Sequence, residues 1–253
     1  MTTKRCRLVE LETYIPRHSD ILKRIACLYN TILSNNRIPD SVVAGGSISF
    51  LYHQIRRSPD ISEEILIDRL ISEGIDIDCY IRDINEYDVF RNARLMREEQ
   101  ERRTGARQEG RGVVVEDVPR PPDIGNQIPR RFRNYGNRDS EIENLYSEQG
   151  VAIQLMSPGL MQKDTYEDTL YKTFDLTHLG NSFSFTQDQI DYLTWEEDVF
   201  ESILRKKTSL TTHIEHIISK KKKDLTKFEK FQIASTTDRI YKYYNRGFSL
   251  ERR

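Results

Sequence analysis

The stretch ISEGIDIDCYI, residues 71–81, places two aspartates inside an apolar run, with Asp76 and Asp78 alternating with Ile75, Ile77 and Cys79. Strands are poor in aspartate, and an unpaired carboxylate against an apolar wall is costly. In an extended chain, positions i and i+2 point to the same side, about 7 Å apart. The two carboxylates therefore converge on one spot, and something of opposite charge has to compensate them.

The flanking sequence supports a strand here. SEEILIDRLISEG, just before it, has the spacing of a helix, with Ser62 as cap and Gly74 as stop. Further back, SISFLYHQIRR turns Ile48, Leu51, Tyr52 and Ile55 to one helical face, after a short apolar strand at 41–44 that enters a Gly-Gly turn. An earlier helix is expected from Ser19 as cap to Asn35 and Asn36, with Ile21, Ile25, Leu28 and Ile32 inward. Beyond the aspartates the character changes. Residues 91–138 hold twelve arginines, no lysine, seven acids and four of the chain's eight prolines. Hydrophobic periodicity fades after about Glu101. This composition predicts a flexible insertion, save for the run VVVEDV, which could be a strand.

After the insertion, VAIQLM reads as a strand, KDTYEDTLYKT as a short helix, and YKTFDLTHLGNSFSF as a third strand carrying Asp175. From Thr186 onward the pattern reads as helix, ending at Gly247. The expected fold is therefore α+β: a mixed sheet with helices packed on one face over 1–185, then a C-terminal helical region over 186–253.

Composition narrows the setting. The chain has 253 residues, of which 37% are hydrophobic and 31% charged. No stretch nears the roughly 20 apolar residues needed to cross a bilayer. MTTKRCRLVE lacks the apolar centre of a signal peptide, and Cys6, Cys27 and Cys79 form neither a disulfide framework nor a zinc spacing. No membrane association and a cytoplasmic location are expected.

Three pieces now stand in order: a Gly-Gly-Ser turn between strand and helix, a D-x-D strand, and a later aspartate. Two glycines let backbone N–H groups approach a phosphate, and the helix N-terminus behind them adds partial positive charge. Two converging carboxylates suit Mg2+, which prefers carboxylates together with phosphate oxygens. A third carboxylate from a neighbouring strand would complete a two-metal site, with ions about 3.5–4 Å apart.

AGGS (Ala44 to Ser47), DID (Asp76 to Asp78) and FDL (Phe174 to Leu176) together resemble the nucleotidyltransferase superfamily of the DNA polymerase beta type. The FDL strand and the closing segment DRIYKYYNRGF resemble, more narrowly, nucleotidyltransferase-like proteins of phages and large DNA viruses, for which the location would be the host cytoplasm. The spacing from Ser47 to Asp76 is longer than usual, and the arginine-rich insertion is not part of a minimal core. The resemblance implies an enzyme that moves a nucleoside monophosphate from an NTP to an acceptor hydroxyl and releases pyrophosphate. It implies Asp76, Asp78 and Asp175 as the catalytic set holding Mg2+ (or Mn2+), with Gly45, Gly46 and Ser47 on the outer phosphates.

Arg239, Lys242 and Arg246 share one helical face, as a phosphate clamp or as a solvated surface. Arg130, Arg131 and Arg133 beside Phe132 and Tyr135 suit phosphate contact and base stacking, which makes RNA the favoured acceptor; the alternative is a solubilising loop. His213 and His216 lack the further ligands of a metal site, and 220–223 reads as a basic helix end. The competing reading of the whole chain is an inactive relative of the same fold that holds nucleic acid or a protein partner through its arginine-rich insertion.

Overall fold

A computed structural model describes residues 4–109, 142–156, 174–194 and 199–251. In chain order, β1 (Lys4–Arg7), α1 (Leu11–Tyr14) and α2 (Ser19–Asn35) precede β2 (Ser41–Ala44) and α3 (Gly46–Arg57). Next come α4 (Glu63–Ser72), β3 (Ile77–Ile81), α5 (Ile84–Glu109), β4 (Ile142–Tyr146) and β5 (Ala152–Met156). After these follow β6 (Asn181–Phe185), β7 (Ile190–Thr194), α6 (Val199–Arg205) and β8 (Lys207–Thr208). The described chain closes with α7 (Thr212–Ser219), α8 (Lys227–Asn245) and β9 (Ser249–Leu250).

Local chemistry sets most of these boundaries. Ser62 caps α4 by accepting a hydrogen bond from the Ile65 amide, and Gly74 ends the following turn at φ +58°. Thr226 and Glu229 form a reciprocal capping box at the start of α8. Ser19 departs from its expected role: it is the first residue of α2, and its hydroxyl donates to the Pro16 carbonyl at 3.2 Å.

Among the described residues, seven strands form a mixed sheet in the order β1-β7-β6-β2-β3-β5-β4, with β3 and β5 parallel and the other neighbours antiparallel. Alternation divides the sheet into two faces. Val43, Ile77, Cys79, Ile81, Ile153, Leu155, Phe183 and Tyr192 belong to the main core, with α2, α3, α4 and α6 packed on it. Val42, Ala44, Tyr80, Met156 and Leu193 belong to a second cluster with Phe174, Leu176, Leu179 and Tyr243, so the C-terminal part of α8 covers the other face. Asp78 has the parity of this second face. The fold class is α+β.

Three expectations change. Residues 186–194 are not helical: β7 pairs with β6 and, across some 180 residues of sequence, with β1. Thr186 closes the β6–β7 turn, its amide donating to the Gln189 carbonyl at 3.0 Å. Pairing on both sides outweighs the weak helical pattern, helical character resumes at Val199, and position 185/186 falls in this hairpin. Asp175 lies outside the sheet, in a segment bridged at Leu176 to Leu210, followed by a 3-10 turn at Thr177–Leu179 and only then by β6. The arginine-rich stretch begins as helix, because α5 runs to Glu109. Asp83 caps it, accepting from the Asn85 amide at 2.7 Å. Arg, Glu, Gln, Met and Leu are good helix formers and need no apolar stripe when solvated. Arg130, Arg131 and Arg133, the VVVEDV run and the short helix expected at 163–173 lie outside the described residues.

Candidate active site

The start of β3 and the start of α3 meet at an open cleft of about 160 Å³. Asp76 sits just before the strand and Asp78 is its second residue; Ile75 and Ile77, both buried, anchor the alternate positions in the main core. The aspartates cannot turn away without pulling isoleucines out of that core. Burial, and then the neighbouring Asp76, push the Asp78 carboxyl up to about 7, with Arg239 and Lys242 pulling the other way. Burial thus disfavours the Asp78 charge more than the nearby cations favour it, a cost that a bound cation would relieve.

The glycine turn faces this pair. Gly45 caps α3 at φ +90°, a conformation that side chains rarely adopt. A Cβ there would lie 2.6 Å from Asp78 Oδ2. Gly46, the first residue of α3, is closed on by the Tyr243 hydroxyl, which a Cβ would strike. Behind the turn, Ile48, Leu51, Tyr52 and Ile55 bury one side of α3, as its spacing predicts, each large apolar side chain contributing about 1.5–3 kcal/mol. Ser47 also lines the cleft, and its oxygen accepts a hydrogen bond from the buried Tyr29 hydroxyl at 2.9 Å. The positive end of α3 is thereby fixed toward the carboxylates. Gly45→Ala is expected to destabilise by about 1–3 kcal/mol from backbone strain and to displace Asp78. Thermal melting checks the first effect and Mn2+ titration the second, and an unchanged melt would mean the turn relaxes freely.

The third wall is α8. Arg239, Lys242 and Arg246 all line the cleft, so their shared helical face is turned to it. Arg239 Nη1 lies 3.1 Å from Asp175 Oδ2. Asp175 is buried, and its Oδ1 has no hydrogen-bond partner among the described residues. It is not among the cleft-lining residues. Its segment is held by the backbone of 209–211: the Thr211 amide donates to the Asp175 carbonyl and the Thr177 amide to the Ser209 carbonyl, both at 3.0 Å. The structure therefore brings Asp76, Asp78, Gly45, Gly46, Ser47, Arg239 and Lys242 together, and sets Asp175 behind Arg239.

Tyr80, Gln154 and Tyr243 also line the cleft and were not singled out in the sequence. Tyr80 is two positions beyond Asp78, so its facing was available from alternation alone. Gln154 becomes visible only through register, as the partner of Asp78 across the parallel β3–β5 ladder. Tyr243 is propped by His178, whose ring lies 4.3 Å from it edge-on and stacks on Phe248. His178 is neutral: burial and then Arg246 lower its pKa to about 3, and its Nδ1 shares a hydrogen bond with Thr208 Oγ1 at 2.8 Å.

With this geometry in place, comparisons with known proteins add one resemblance. No family model matches the sequence, and no curated protein matches it. Among solved structures, the chain is similar to a CCA-adding enzyme in complex with CTP. That similarity covers 98% of this chain, at a TM-score of 0.44 and 10% identity. This chain spans 44% of the length of that one. The likeness to phage and viral proteins finds no counterpart among these matches.

The residues present fit a divalent cation in part. Asp76 and Asp78 could supply two hard oxygen ligands beside an open cleft where phosphate oxygens could complete the shell. Among the described residues, no group of three or more His, Cys, Asp or Glu could hold a metal ion. No helix among them is long and apolar enough to cross a membrane.

Proposed function

We propose that this chain is a nucleotidyltransferase that binds an NTP with Mg2+ or Mn2+ in the cleft and transfers its nucleoside monophosphate to an acceptor hydroxyl. The observation that carries this reading is the juxtaposition of a carboxylate pair, a glycine turn at a helix N-terminus and three cationic side chains around one cleft. A triphosphate is the ligand that uses all three at once. Backbone N–H groups at Gly45, Gly46 and Ser47 would take the outer phosphates. Arg239, Lys242 and Arg246 would balance the charge that builds on the departing pyrophosphate. Asp76 and Asp78 would hold the cation, which when bound supplies charge neutralisation at the α-phosphate. The acceptor hydroxyl gives up its proton to solvent as its oxygen bonds to the α-phosphorus and the bond to pyrophosphate breaks. RNA is the preferred acceptor because residues 91–138 are rich in arginine.

A second reading is supported by one contact. Asp175 is paired with Arg239 instead of joining Asp76 and Asp78. A two-carboxylate centre is compatible with a protein that binds the nucleotide and does not turn it over. Incubation with each α-labelled NTP, Mg2+ or Mn2+, and a pool of RNA, DNA and protein separates the two. Label on RNA, with NTP binding lost in EDTA, is the expected result. Cation-dependent binding without labelled product selects the binding protein. NTP binding indifferent to EDTA and to Asp76→Ala would remove both readings.

A further inference from the structure

We infer that this is a one-cation site, and that Gln154 is the residue that makes it so. The inference rests on the proposed nucleotide site and concerns how many ions that site takes. A pair of divalent ions about 3.5–4 Å apart needs a carboxylate on each side to bridge or flank them. The place for a flanking ligand is set by the sheet. Asp78 lies between two neighbours in the ladder: Ala44 on β2 and Gln154 on β5. Strands are about 4.8 Å apart and paired residues share a face, so these two positions are where a third ligand beside Asp78 would stand. Ala44 has only a methyl group. Gln154 lines the cleft and presents a neutral amide.

Charge decides the consequence. A carboxylate at 154 would give three negative groups around the start of β3, enough to offset much of the repulsion between two divalent ions. An amide offers an oxygen and an N–H but no charge. Among the described residues the next carboxylate, Asp175, does not line the cleft and is paired through Oδ2 with Arg239 at 3.1 Å. Among the described residues this leaves Asp76 and Asp78 as the whole anionic complement of the cleft, which suits one ion delivered with a triphosphate. Gln154 is thus a specificity-determining residue for metal stoichiometry, and its amide is left to hydrogen-bond to a phosphate or acceptor oxygen.

The test counts ions instead of turnover. Mn2+ bound per chain is measured by paramagnetic resonance, with the α,β-methylene analogues of the four common NTPs tried in turn. Wild type is expected to hold one Mn2+, Gln154→Glu two, and Gln154→Leu one. The glutamate is nearly isosteric, and melting with and without Mn2+ verifies that each variant folds. Two Mn2+ in the wild type would overturn the inference regardless of the variants, and a drop to one in Asp175→Asn would then assign the second ion to Asp175. One Mn2+ in both wild type and a folded Gln154→Glu would overturn it as well. If no analogue brings Mn2+ to the wild type, the proposed nucleotide site itself fails, and the stoichiometry falls with it.

Discussion

Asp78→Asn is expected to lower nucleotidyl transfer by two to three orders of magnitude, the range seen when one group that stabilises transition-state charge is removed. The same change should not weaken the metal-free fold, and the sign follows from linkage. Burial and then Asp76 raise the Asp78 pKa in the folded state. A raised acid holds its proton longer folded than unfolded, so its contribution is fully present below the ordinary aspartate range. That contribution is lost as pH rises toward about 7. Metal-free wild type should therefore lose stability between about pH 4 and pH 7 from this group, and Asp78→Asn should flatten that slope. Added Mg2+ with NTP should reverse the order at pH 8, stabilising wild type and leaving the variant unmoved. Denaturant titrations at pH 5 and pH 8, with and without ligand, check both parts. A variant that unfolds at every pH would make Asp78 a structural residue.

Arg239→Ala is expected to cost about 3 kcal/mol, the lower end of the range for breaking a buried ion pair, because the guanidinium is itself half-exposed. The loss comes from Asp175, whose side chain is only 3% exposed and whose other oxygen already lacks a partner. Adding Asp175→Asn to Arg239→Ala removes the stranded charge and should restore much of the stability. NTP affinity should respond differently. It should fall in the single arginine variant and stay low in the double variant, since the cleft has lost a cation in both. Asp175→Asn alone should keep NTP binding. Equal NTP loss in Asp175→Asn and Asp78→Asn would return Asp175 to the metal set that its place in the FDL motif implies.

The contrast between these two aspartates shows where reading the sequence succeeds. For Asp76, Asp78 and the glycine turn, everything needed is local. Alternation sets which way Asp78 points, Gly74 and Ser62 bound the preceding helix, and the first of two adjacent glycines, Gly45, departs from the usual φ range. Arg239, Lys242 and Arg246 were legible as one face for the same reason, because helical period is a property of short segments. For Asp175 it was the strand cue that misled. FDL followed by alternating residues reads as one strand, yet the Thr177 and Thr211 amides bind carbonyls across the 175–177 and 209–211 segments, and the strand starts only at Asn181.

The sequence by itself therefore determined α2, β2, α3, α4 and β3, the facing of the carboxylate pair, the glycine turn and the cationic face of α8. Each depends on residues within one or two turns of one another. Only the tertiary structure decided that β1 and β7 complete the sheet, that Gln154 stands beside Asp78, and that Arg239 is shared between the cleft and Asp175. These are pairings between residues about 60 to 190 positions apart. Hydrogen bonding and ion pairing select such partners from many chemically equivalent ones by where the packed core puts them, and no local period encodes that choice.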